Sequence, residues 1–170
     1  MNFSIIAAMG ANNEIGKNGI MPWDIKADLK HFAQVTIGQK NNAVIMGRKT
    51  WESIPEQFRP LKNRLNAVLS RRTDFKAPDE VLHYESLTQV LKELANKNLD
   101  EIFIIGGGSL YHEAIRRAEC QKIYLTEVQG HFLADTYFPP IPPEFKKTGE
   151  TNLWSEGQYN FKFIIYEKNG

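Results

Sequence analysis

The residues best placed to do chemistry in this chain are one carboxylate, Asp28, and two turns that end in glycine beside basic side chains. The segment Ile25-Lys26-Ala27-Asp28-Leu29-Lys30-His31-Phe32-Ala33-Gln34-Val35-Thr36 carries a helical period. At about 100° per residue, Ile25, Leu29, Phe32, Ala33 and Val35 fall on one side, and Lys26, Lys30 and Gln34 on the other. Asp28 stands three positions after Ile25 and four before Phe32, inside the apolar stripe. Burying an unpaired carboxylate costs several kcal/mol or forces it to hold a proton, so something must compensate. One reading is a structural aspartate bonded to a neighbouring loop. The other is a ligand-facing acid, in the kind of setting where perturbed carboxylates do chemistry. Asp24, immediately before the helix, reads instead as its N-cap.

The glycine turns offer a second chemistry. Ile104-Ile105-Gly106-Gly107-Gly108 runs into Ser109-Leu110-Tyr111, and Ile45-Met46-Gly47 runs into Arg48-Lys49-Thr50-Trp51. Glycine permits close backbone approach and unusual dihedrals, while a helix start presents free N–H groups to a phosphate. Plain turn geometry explains either site equally well on its own. Tyr111 stands where a G-x-G-x-x-G fingerprint needs its third glycine, and no G-x-x-x-x-G-K-[ST] occurs, which disfavours a P-loop phosphoryl-transfer enzyme. Arg48 and Lys49, with Arg71 and Arg72 just past Leu69-Ser70, are spaced to clamp further phosphate charge, which favours a 2′-phosphorylated dinucleotide.

The elements that must hold these groups follow from apolar runs. Strands are predicted at residues 3–9, 43–46, 65–70, 81–84 and 101–105, with helices near 25–36, 50–54, 87–97 and 108–118. Continuous hydrophobicity in the strands implies burial on both faces of a mainly parallel sheet. Ser86 and Gln89 form a capping box for the helix at 87–97, whose Leu87, Val90, Leu91 and Leu94 share one side. That helix reads as purely structural. Residues 122–128 and 161–166 are strands with no long helix between them, and Phe138-Pro139-Pro140-Ile141-Pro142-Pro143 excludes helix or central strand. The predicted architecture is α/β and three-layered, with an antiparallel C-terminal addition, in a single domain over residues 1–170.

Composition narrows the field. With 21 basic and 20 acidic residues the net charge is +1, so no electrostatic case for nucleic acid arises. A lone cysteine, Cys120, excludes an internal disulfide framework and a cysteine zinc cluster. His31, His83, His112 and His131 lack metal-binding spacing, so no metal is expected. The first apolar stretch is too short to span a membrane and has neither basic leader nor cleavage site. A cytoplasmic, unprocessed protein is the expectation, with monomer as the default.

Taken together, Ile15-Gly16, Met21-Pro22-Trp23, Ala27-Asp28-Leu29-x-x-Phe32 and Met46-Gly47-Arg48-Lys49-Thr50-Trp51-Glu52-Ser53-Ile54 resemble dihydrofolate reductase. So do Gly106-Gly107-Gly108, Tyr124-Leu125-Thr126 and Asp135-Thr136-Tyr137-Phe138-Pro139. The matches come in family order across nearly the whole chain. The resemblance implies an eight-stranded sheet with about four helices, and reduction of 7,8-dihydrofolate with NADPH. Hydride goes to C6 of the pterin and a proton to N5. Asp28 matches the acid that accepts hydrogen bonds from pterin N3 and the 2-amino group, and Thr126 should support it. In family geometry Asp28 is too far from N5 to deliver the proton, so water admitted beside Met21 and ordered near Trp23 is the expected carrier.

The resemblance also distributes the remaining roles. Ile6 and Ala8 should line the pterin pocket, with Ile105 and Tyr111 by the nicotinamide. Leu29, Phe32, Ile54 and Leu61 should enclose the aminobenzoyl group. Arg64 should grip the glutamyl α-carboxylate, with Arg59 and Lys62 as competitors. Gly47, Arg48, Lys49, Thr50, Gly107 and Gly108 should meet the phosphates, and Leu69, Ser70, Arg71 and Arg48 should surround the adenosine end. A cis peptide is expected between the first two glycines. Ser109 departs from relatives that carry a basic residue there. Residues 11–20, including Ile15 and Gly16, should form a mobile lid over the cofactor. Diaminopyrimidine or pteridine antifolates are the implied inhibitors. An NADPH reductase of a riboflavin-pathway pyrimidine is the rival, and it leaves Trp23 with Asp28 and the Arg64 anchor unexplained.

Overall fold

The apolar runs of the sequence become a twisted parallel sheet, and the amphipathic segments cover both of its faces. A computed structural model describes residues 1–170. In chain order the elements are β1 (Phe3–Met9), β2 (Glu14–Gly16), α1 (Lys26–Ile37), β3 (Ala43–Gly47), α2 (Arg48–Ser53), a 3₁₀ turn (Glu56–Phe58), β4 (Leu65–Leu69) and β5 (Leu82–Tyr84). They continue with α3 (Leu87–Leu94), β6 (Ile102–Ile104), α4 (Gly108–Ala114), β7 (Cys120–Val128), β8 (Thr136–Tyr137), β9 (Phe145–Glu150), β10 (Trp154–Glu156) and β11 (Tyr159–Lys168).

The main sheet has the order β10-β11-β7-β1-β6-β3-β4-β5. Every pairing from β7 to β5 is parallel, and β11 runs antiparallel to β7. β10 and β9 pair with successive halves of β11, so they divide the outermost position of a sheet eight strands wide. The expected mainly parallel sheet with an antiparallel C-terminal strand is therefore present.

Alternate residues of the central strands serve different layers, as the pleat requires. Ile5, Ile45 and Ile104 pack against Leu87, Val90, Leu94, Leu110 and Ala114 of α3 and α4. Ile6, Val44, Met46 and Phe103 pack against Phe32, Val35, Trp51 and Ile54 of α1, α2 and the adjoining turn. A smaller cluster of Trp23, Ile25, Val128 and Phe161 fastens the lead-in to α1 onto the antiparallel edge. No helix is long and apolar enough to cross a membrane.

Several expectations need correction. The α1 N-cap is Ile25, and Asp24 does not cap it; Glu156 of β10 accepts from the N–H groups of Lys26 (2.6 Å) and Ala27 (3.0 Å) instead. Leu29 lies on the predicted apolar stripe yet is 53% exposed, because the sheet-facing contacts of α1 come from Phe32 and Val35. α4 stops at Ala114, short of the predicted 118, and the predicted loop 11–20 contains β2, which pairs with β8. The capping box is shifted: Ser86 Oγ accepts from Gln89 N at 3.2 Å, while Gln89 Oε1 accepts from Glu85 N at 3.1 Å.

Leu94, the last residue of α3, is fully buried in the core. Leu94→Ala should cost about 2–5 kcal/mol in denaturant unfolding through the cavity it leaves. A loss well under 1 kcal/mol would mean that α3 is not seated on the core as described.

Candidate active site

Asp28 sits in the first turn of α1, where its backbone N–H donates to Ile25 O at 3.1 Å. Its side chain is buried, 8% exposed, and Oδ1 accepts a 2.6 Å hydrogen bond from the Thr126 hydroxyl of β7. Thr126 is brought there by strand register, since β7 pairs with β1 so that Thr126 faces Ala8 and Tyr124 faces Ile6. Oδ2 receives no hydrogen bond from the protein and is not sealed from the cleft. Burial raises the Asp28 pKa above the ordinary 3.8, and the Thr126 bond lowers it only in part. The carboxylate is thus half-satisfied, with its free oxygen turned to an opening.

The rest of the cleft assembles at the carboxyl ends of the parallel strands. Tyr111 of α4 is buried against Phe138 and donates its hydroxyl to Ile6 O at 2.8 Å. Burial, with Asp28 as the second cause, pushes the Tyr111 phenol pKa up, so the hydroxyl stays a donor. Ile105 packs beside Ile6 in the layer of α1. Gly47 N donates to Gly106 O at 2.8 Å, which ties the end of β3 to the turn after β6.

Backbone approach explains the glycines there. Gly106 has φ +128° and the Gly106–Gly107 peptide is cis, as expected. A Cβ on Gly107 would lie 3.3 Å from Thr50 Oγ1, and one on Gly108 would lie 2.5 Å from Thr136 Cγ2. Ile15 Cδ1 is 3.8 Å from that same point, so the β2–β8 ribbon lies directly against the start of α4. Gly47, Thr50 and the triple glycine therefore adjoin one another, with Ile15 against Gly108, while Ala8 lies beside Thr126, the support of Asp28. Ser109, which follows Gly108, is exposed.

The basic residues divide by what already occupies them. Arg64 Nη1 donates to Thr36 Oγ1 and Nε to Lys62 O, both at 2.9 Å, while its guanidinium stands 5.9 Å from the centre of the Phe32 ring. It is therefore oriented at the rim of the Phe32 wall. Its competitor Arg59 is spent on local structure, donating to Trp51 O at 2.8 Å and stacking on Trp51. Lys62 is exposed. At the other end Arg48 pairs with Glu52 (2.7 Å) and Arg72 with Asp74 (2.6 Å), whereas Lys49 and Arg71 are exposed and make no ion pair. Ser70 is buried beside them, and Leu69 is partly buried.

Trp23 is buried with Ile25 and meets Phe132 edge-on at 5.0 Å. Its indole Nε1 is the one buried side-chain nitrogen or oxygen that lacks a partner, a state that costs about 1–3 kcal/mol when nothing accepts the proton. Met21, 44% exposed, lies instead along a surface depression of about 450 Å³ with Ile20, His131 and Leu133. A second depression, of about 290 Å³, is lined by Arg48, Trp51, Arg59 and Arg72. Neither lining includes a buried acid, so Asp28 and not cavity size marks the chemistry.

Sequence reasoning missed Glu14, which is buried at the base of the 11–20 segment. Burial alone would raise its pKa, but N–H groups of Phe132 (2.6 Å), of its own residue and of Asn12 hold it below the ordinary value. No periodicity marks it, because its donors are backbone groups.

Fold and cleft together define an α/β protein that presents a half-satisfied buried acid and a glycine-lined backbone surface along one sheet edge. The sequence pattern of the family described as Dihydrofolate reductase matches residues 2–168. The chain is 36% identical to the dihydrofolate reductase of Aedes albopictus, covering 98% of this chain and 97% of that one. It is 40% identical to the Sus scrofa dihydrofolate reductase, with 96% of each covered. The solved structure of Schistosoma mansoni dihydrofolate reductase superposes with a TM-score of 0.86 at 37% identity, covering 99% of both chains. This chain belongs to the dihydrofolate reductase family.

Gly108→Ala should destabilise the protein by about 1–3 kcal/mol through the clash with Thr136, and adding Thr136→Ser, which deletes the offending methyl group, should restore most of it. Thermal unfolding of the single and double variants measures this. An unaffected single variant, or no recovery in the double, would contradict the close approach of β8 to α4.

Proposed function

We propose that this protein reduces 7,8-dihydrofolate to 5,6,7,8-tetrahydrofolate with NADPH, acting as a single domain over residues 1–170. The observation that carries the reading is the Asp28 carboxylate, buried, supported on one oxygen by Thr126 and open on the other. A pterin brings adjacent N3–H and 2-amino donors, which supply what the desolvated carboxylate lacks. Phe32, Ile54 and Leu61 then enclose the aminobenzoyl group beneath the exposed Leu29, with the pre-oriented Arg64 fork at the glutamyl carboxylate.

The residues present fit the cofactor, because Gly47 and the triple glycine present bare backbone at adjoining strand ends, where Gly47 N donates to Gly106 O and a Cβ on Gly107 or Gly108 would crowd Thr50 or Thr136. Gly47, Thr50, Gly107 and Gly108 would hold its phosphates, and Arg48, Lys49, Ser70 and Arg71 the 2′-phosphate end. When bound, NADPH supplies the hydride received at C6 of the pterin. Trp23, with an indole N–H that lacks an acceptor, orders the water that brings the proton to N5, and Met21 lies at the entrance. The 11–20 segment covers the site as a lid whose middle, Glu14–Gly16, is held by β2–β8 pairing. Diaminopyrimidine and pteridine antifolates share the donor pattern that Asp28 accepts. A near-neutral charge and a single buried cysteine suit the cytoplasm, with monomer as the default state.

Loss of NADPH absorbance on adding dihydrofolate is the direct assay. Asp28→Asn should lower kcat/KM on the order of 10²–10³-fold. The same variant should stabilise the ligand-free protein. Because burial lifts the folded-state pKa of Asp28 above 3.8, the folded chain binds more protons than the unfolded one in the window just above that value. Stability is therefore lost as pH rises through that window. The melting temperature of Asp28→Asn should exceed that of wild type at neutral pH, with the difference shrinking as pH falls toward 3.8. Full activity in the variant, or a lower melting temperature at neutral pH, would defeat the assignment.

A further inference from the structure

We infer that Glu156, on the C-terminal hairpin, is a positioning residue for Asp28. Both of its carboxylate oxygens are occupied by consecutive amides at the start of α1: Oε2 accepts from Lys26 N at 2.6 Å and Oε1 from Ala27 N at 3.0 Å. These are two of the N–H groups that a helix start leaves unpaired, and no side chain near α1 in sequence takes them. The next amide is that of Asp28 itself, which donates to Ile25 O at 3.1 Å. A negative group at this end also complements the helix dipole. Glu156 thus defines the turn from which the Asp28 side chain departs.

The same hairpin grips α1 a second time. His31, one turn beyond Asp28, stacks on Phe163 of β11 with ring centres 3.9 Å apart and planes at 21°. Phe163 is directly opposite Thr126 in the β11–β7 register, and Thr126 is the group that donates to Asp28. Glu156 in turn is fixed opposite Tyr159 in the β10–β11 register. The hairpin therefore holds both ends of one geometric relation: the helix that carries the acid, and the strand position beside the hydroxyl that supports it. Without Glu156 the first turn of α1 solvates its free amides and the carboxylate loses its aim across the cleft. The consequence falls on ligands that Asp28 holds, and not on the cofactor, whose glycine surface lies on β3, β6 and α4.

This inference rests on the reading of Asp28 as the pterin ligand, and one set of variants separates the two. Dihydrofolate KM, and the Kd of a 2,4-diaminopyrimidine in the presence of saturating NADPH, are measured for Glu156→Ala, Glu156→Gln, Asp28→Asn and the Ala/Asn double variant. Glu156→Ala should raise both constants about tenfold, the size of a lost helix cap, and leave the NADPH Kd within about twofold. Glu156→Gln keeps one acceptor and should show a smaller rise, which provides the test should the alanine variant fold poorly. In the Asp28→Asn background Glu156→Ala should add little, since its effect runs through the carboxylate. Unchanged pterin-site constants in a folded Glu156 variant, equal weakening of NADPH, or additive effects in the double variant would overturn the inference. An inert Asp28→Asn would instead remove the pterin reading and the inference with it.

Discussion

The structure depends on one unfavourable placement, an aspartate carboxylate removed from water with a single hydroxyl to support it. The Thr126 bond at 2.6 Å satisfies one oxygen and leaves the other facing the cleft. A protein group could have closed that second valence and made Asp28 a structural residue, which is what most buried polar groups become. None does. The energy withheld from the folded protein remains available to a ligand with two adjacent donors, which is how an enzyme directs binding energy to one chemical pattern.

The elements around this carboxylate can be understood as what keeps it in place. Parallel register puts Thr126 beside Ala8, the Tyr111 hydroxyl fastens α4 to Ile6, and Gly47 links the two glycine turns. The antiparallel edge contributes more than a cover. It anchors Trp23 and Ile25 through Val128 and Phe161, and it delivers Glu156 to the helix start. Thr126, which supports the acid, and the strands that end in the glycine turns thereby belong to one sheet.

What the sequence made legible was whatever left a local pattern. Asp28 was visible because helical spacing and side-chain charge disagree at one position. The central strands were visible as unbroken apolar runs, and the glycine turns as strand ends that cannot carry a Cβ. The short strands β2, β8, β9 and β10 were not, because they are edge or ribbon segments with exposed polar residues such as Lys146, Lys147 and Thr148. Local sequence offers Asp24 as the helix cap, whereas the group that takes the Lys26 amide, Glu156, lies 130 positions beyond that residue. Arg59 and Arg64 are indistinguishable by residue type, and only their contacts separate them: Arg59 is held on Trp51, and Arg64 stands beside Phe32. Leu29 obeys the helical period and still ends up exposed, since periodicity reports a face but not how far the sheet beneath it extends.

The central claim concerns the charge state of one side chain, and carboxyl-carbon NMR of Asp28 measures that state directly as a function of pH. In the ligand-free protein the carboxyl group should titrate above 3.8, and saturating 2,4-diaminopyrimidine should move its midpoint downward as the ligand's donors stabilise the anion. A midpoint at the ordinary aspartate value that does not respond to the ligand would contradict a buried acid reserved for the heterocycle.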